Sequence, residues 1–167
     1  MNDTYVEVLV KRRTSPFLGP GRILLYAIAT VCLLIAMLGN FVFIIGALIF
    51  AAVAYFLIPM FDIEYEYLYL DREISIDKIM SKEKRKHVYT VDLNRMQIMA
   101  PVTSHELDSY RARGVKSYDF TSGEPDAKRY SIVYEGGNEG LVLVDIEPDG
   151  EMLRAIKNVF PRKIMEF

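Results

Sequence analysis

The spacing of apolar positions changes twice along the chain. Near the start, Val6, Val8 and Val10 alternate with Glu7, Leu9 and Lys11. A period of two predicts a strand over Thr4 to Lys11, and the apolar residues do not gather at helical spacing. From Ile23 to Phe61 no side chain is charged, and only Gly39-Asn40 interrupts the run. One helix of that length would far exceed the ~20 residues that cross a bilayer. Two helices meeting at a Gly-Asn turn each fit, so the stretch reads as a membrane helical hairpin, about 22–38 and 41–58, with Pro59 closing the second.

Beyond the apolar run the period of two returns. Ile63, Tyr65, Tyr67 and Tyr69 alternate with Glu64, Glu66, Leu68 and Leu70, and Asp71-Arg72 forms a tight turn into Glu73 to Ile79. Further strands are expected at 85–91, 95–100, 116–121, 129–135 and 141–146, the last two joined through Gly136-Gly137-Asn138-Glu139-Gly140. That makes seven, in a four-then-three grouping. A helical turn over Ser104 to Arg113, capped by Ser104 and ended by Gly114, is expected between the groups. The C-terminal helix, 150–160, has Asp149 as its cap and Met152, Leu153, Ile156, Val159 and Phe160 as its apolar stripe, with Pro161 as its stop.

The organisation is thus an N-terminal strand and linker (1–21), the hairpin (22–61) and a mainly-β domain (62–167). Of 167 residues, about 105 remain for the last part, enough for one small core. Within the linker, Pro16 and Pro20 oppose a long helix. Lys11, Arg12, Arg13 and Arg22 precede the first apolar segment and no charge lies in the Gly39-Asn40 turn. By the positive-inside rule both termini then lie in the cytoplasm of a multi-pass inner (plasma) membrane protein. Gly46, Ala47, Ala51 and Ala54 give the second helix a small-residue face for helix packing, within the hairpin or in a homo-oligomer. No ionisable group enters the apolar layer, which disfavours transport.

Net charge is −2, and its even distribution gives no reason to expect nucleic acid as a partner. Cys32 is the single cysteine, so an intrachain disulfide or a cysteine metal cage is excluded. Lys82, Lys84, Arg85 and Lys86, with His87, form a basic run that would face lipid headgroups at ~1 kcal/mol per charge; the plainer reading is a solvated turn. His105, Glu106 and Asp108 are the nearest approach to an acid–base or metal set, without a metal-binding spacing. No catalytic residue, metal or cofactor is assigned.

The order of elements from Ile63 to Phe160 resembles the pleckstrin-homology-like (PH-like) fold, a seven-stranded sandwich or partly open barrel closed by a C-terminal helix. The stretches 1–13 (MNDTYVEVLVKRR), 61–86 (FDIEYEYLYLDREISIDKIMSKEKRK) and 159–165 (VFPRKIM) are similar to a family of small bacterial two-helix membrane proteins with a cytosolic PH-like domain and no assigned function. The resemblance implies a non-enzymatic, membrane-anchored module that binds a protein partner or the membrane surface. A structural subunit of a larger membrane complex is the alternative, and a hydrolase or metal enzyme around His105 a remote one.

Overall fold

A computed structural model describes residues 5–13, 17–57, 62–80 and 84–165. Its chain divides into two compact units, one of Met1–Arg13, Glu64–Ile79 and Arg85–Phe167, the other of Thr14–Ile63 and Met80–Lys84. Thr4, Lys82 and the expected helix end at Ile58 and Pro59 lie outside the described residues.

The first unit is built on eight strands among the described residues, β1 (Val6–Lys11), β2 (Ile63–Leu70), β3 (Glu73–Met80), β4 (Lys84–Asp92), β5 (Met96–Pro101), β6 (Lys116–Asp119), β7 (Tyr130–Glu135) and β8 (Leu141–Ile146). They form two four-stranded sheets, ordered β1-β2-β3-β4 and β5-β7-β8-β6. The sheets are not closed into a barrel. This corrects the four-then-three grouping: β1 lies antiparallel on β2, with Val8 opposite Tyr67, and β5 leaves the first group to pair with β7. The redirection is local. Asp92 accepts a hydrogen bond from the Asn94 amide at 2.9 Å and caps the 3-10 turn Leu93–Arg95, which turns the chain between β4 and β5.

Alternation decides which side chains meet. Val6, Val8 and Val10 of β1 and Tyr65, Tyr67 and Tyr69 of β2 are all buried, as are Ile74 and Ile76 of β3. From the second sheet come Met99, Ile132, Val144 and Ile146, and α4 (Gly150–Val159) adds Met152 and Ile156. Its cap is as expected, with the Asp149 carboxylate accepting from the Met152 amide at 2.7 Å. The other face of β7 and β8 is buried too. Val133 and Leu143 pack there with Ala100 and Leu107 under the segment His105–Leu107 and α3 (Asp108–Ala112), capped by Ser104. Burial on both faces explains the near-continuous apolar runs of these strands.

β6 departs most from the expected pattern, being short and parallel to β8, with Asp119 opposite Asp145. A parallel neighbour needs a crossover, and residues 120–140 supply it, passing through β7, which lies antiparallel on the other side of β8. At the β2–β3 turn, Asp71 and Arg72 adopt φ of 50° and 65°, as a tight antiparallel hairpin requires. At the β7–β8 turn, a Cβ on Gly136 would lie 2.9 Å from Val142.

The second unit contains α1 (Leu18–Met37) and α2 (Val42–Ala52), continued as a π turn over Val53–Leu57. α1 starts four residues before the expected Arg22. Pro20 falls in the first turn, where a helix needs no amide donor. α1 is the one described helix long and apolar enough to cross a membrane, with mean hydropathy 1.9; Val42–Phe56 is apolar but shorter.

Candidate functional site

The alternation that buries the β2 tyrosines turns Glu64 and Glu66 to the other face of the first sheet. Glu66 is only 3 % exposed. The Arg85 guanidinium of β4 is paired with its carboxylate and stands 3.9 Å from Asp77 of β3. Asp77 in turn lies 2.9 Å from His87 Nδ1, and Thr90 Oγ1 lies 3.0 Å from His87 Nε2. At the other end, Tyr5 donates to Glu7 at 2.8 Å. Burial raises the Glu66 carboxyl pKa; the Arg85 charge opposes the rise and Glu7 adds to it. The result is one charge network across all four strands.

The basic run therefore has internal partners. All four residues 84–87 are exposed, but Arg85 and His87 are also held by carboxylates. Near the N-terminus, Lys11 stands opposite Glu64. Arg12 donates to the Tyr65 hydroxyl at 2.9 Å, and the Arg13 amide donates to the Ser122 carbonyl at 2.7 Å. Ser122 also donates through its amide and hydroxyl to Glu147 at 2.8 Å, which fixes the loop that receives Arg13. Arg22, in the helical unit, lies over the Tyr26 ring at 5.8 Å. His105 lies 3.1 Å from Asp108 on the surface.

A second cluster joins the sheets. Tyr89 of β4 packs against Tyr118 of β6 at 4.6 Å between ring centres, and against Phe120 at 5.7 Å. Tyr134 donates to the Tyr89 hydroxyl at 2.8 Å. Glu139 accepts from Lys116 at 2.6 Å, from Tyr118 at 3.0 Å and from Tyr89 at 3.3 Å. Burial raises the pKa of the Tyr89 and Tyr134 hydroxyls, while hydrogen bonds from Lys116 and Tyr118 lower that of the Glu139 carboxyl. Cross-strand pairing accounts for the tyrosines; Glu139, in a glycine-rich turn without periodicity, was not marked by the sequence.

In the helical unit the small residues meet α1. A Cβ on Gly46 would lie 3.7 Å from Cys32 Sγ, and Ala47 and Ala54 are buried. Ala47 and Ala51 line a groove of about 260 Å³ with Ala29 and Thr30 of α1.

Two packed sheets with a C-terminal helix, joined to an apolar N-terminal helix that fits a membrane anchor, define a bacterial PH-like protein. The chain belongs to the family described as Bacterial PH-like domain (DUF6106), whose model matches residues 2–166. No curated protein and no solved structure matches it.

Proposed function

We propose that the protein is a membrane-anchored, non-enzymatic interaction module, with its PH-like domain on the cytoplasmic side and the helical segment crossing the bilayer twice. One observation carries this reading. Lys11 and Glu64 are register partners in a single antiparallel strand pair, and the entire apolar segment is looped out between them. Strands that pair lie on one side of a membrane, so the segment between them crosses an even number of times. Lys11, Arg12, Arg13 and Arg22 at its entry support the cytoplasm as that side, by the positive-inside rule. Anchoring concentrates the domain near membrane-bound partners, so that weak contacts suffice. Lys84 and Lys86, exposed on either side of Arg85, would add headgroup contacts.

The groove along Ala29, Ala47 and Ala51 supports a second reading, assembly within a larger membrane complex or with another copy. Affinity purification from native cells separates the two, using the tagged full chain and a chain lacking residues 63–167. A partner retained by the full chain alone supports the module. A partner retained by both moves the interaction to the helices. Reactivity of a Met165→Cys variant, in a Cys32→Ser background, only from the outer side of intact cells would overturn the orientation.

A further inference from the structure

β5 is an edge strand of the second sheet, and its outer edge is covered by the chain's own C-terminal segment. After α4 the chain turns at Pro161 and runs parallel to β5. The Met99 amide donates to the Lys163 carbonyl at 2.8 Å, and the Met165 amide donates to the Met99 carbonyl at 2.8 Å. Lys163 Nζ donates to the Met96 carbonyl at 2.5 Å. Ile164 is 8 % exposed, while Lys163 before it is half-buried and Met165 after it is exposed. One parallel bridge, one buried aliphatic side chain and one ammonium thus seat the segment.

These are the elements by which a sheet edge takes up an extended peptide: backbone bonds supply affinity and alternate side chains supply selectivity. An uncovered edge is open to any strand, and a covering segment suppresses that. A short cover held at one bridge is also the easiest to exchange. Pro101, without an amide hydrogen, limits a longer ladder at the far end of β5, so Met99 is the anchoring residue.

We propose that the β5 edge is a strand-docking site occupied in cis by Lys163–Met165, and that its ligand in trans is an extended peptide, parallel to β5, with a β-branched aliphatic residue directly after a lysine. The inference rests on the reading of the domain as an interaction module and names the surface used. The lysine would meet the Met96 carbonyl and the aliphatic residue would take the place of Ile164.

The test uses the full chain in detergent micelles, an Ile164→Asp variant, and a chain ending at Arg162. The probe is a fluorescent peptide with the sequence of residues 162–167, beside the same peptide carrying Asp at the position of Ile164. Anisotropy reads affinity, and amide resonances read the location. The expected result is at least about tenfold tighter binding to both opened forms than to the unaltered chain, because the cis segment competes. The Asp peptide should not bind, and shifts should centre on Met99. A Lys163→Ala variant, with affinity between the extremes, keeps the test decisive if the others fail to fold. Equal binding by closed and opened forms, or no binding by any opened form, overturns the proposal. So does a dimer of the unaltered chain that is lost with residues 163–167, which would assign the edge to a second copy. The titration reads the edge alone, whereas partner copurification reads the module role, so the two readings fail separately.

Discussion

Val8 stands directly opposite Tyr67, and both are buried although the two helices separate them in sequence. β1 thus belongs to the core of the sheet it joins. Val8→Ala should cost about 1.5 kcal/mol for the lost methyl groups. Val8→Asp should release the strand. Amide exchange checks this: protection at residues 6–11 should vanish in the Asp variant and persist in β7 and β8.

Arg85 is the cation that answers the buried Glu66. Arg85→Ala leaves a buried acceptor poorly paired, an expected loss of about 1–3 kcal/mol. Adding Glu66→Gln should recover part of it, because the charge that lost its partner is gone. Urea unfolding of the two single variants and the double variant measures the coupling.

The alternation of Val6, Val8 and Val10 already marked β1 as a strand with a buried face, and Asp149 announced the last helix. Both are local signals. Positions set by distant contacts were not legible in this way. The parallel pairing of β6 depends on where β8 lies, and the exchange of β5 between sheets depends on a three-residue turn. The basic run shows the same limit: Arg85 and His87 read as surface cations until β2 and β3 bring Glu66 and Asp77 beneath them. Glu139 gained its role only because Lys116, Tyr118 and Tyr89 converge on it.

Asp145 is expected to make stability depend on pH. Burial raises its pKa, with Ser131 donating to it at 2.5 Å and opposing the rise, and Asp119 adding to it. A raised carboxyl pKa means that the folded chain holds the proton longer than the unfolded one. Stability therefore declines as pH rises from the ordinary Asp value of about 3.9 through the raised native value, and is level above it. Asp145→Asn should flatten that decline. Thermal melts at about pH 4.5 and about pH 7.5 should lie closer together in the variant, with Glu66 contributing to the remaining slope in the same sense and Glu139, whose pKa is lowered, in the opposite sense.

Arg72 holds a left-handed φ of 65° at the β2–β3 turn. Its backbone carbonyl accepts from the Leu93 amide at 2.9 Å, a bond that a glycine there would keep. Arg72→Gly should relieve the strain and stabilise by about 0.5–1 kcal/mol after the entropy cost of glycine. A rise in the urea midpoint with an unchanged slope would show it.

The looping-out of the helices between β1 and β2 also sets an order of events. During synthesis β1 emerges first, then both helices, and only afterwards the strand that β1 needs. Until then its valines have no sheet to bury them. Completion of the first sheet is therefore postponed until the helical segment has been made, and a chain stalled within that segment leaves β1 without the strand it pairs with.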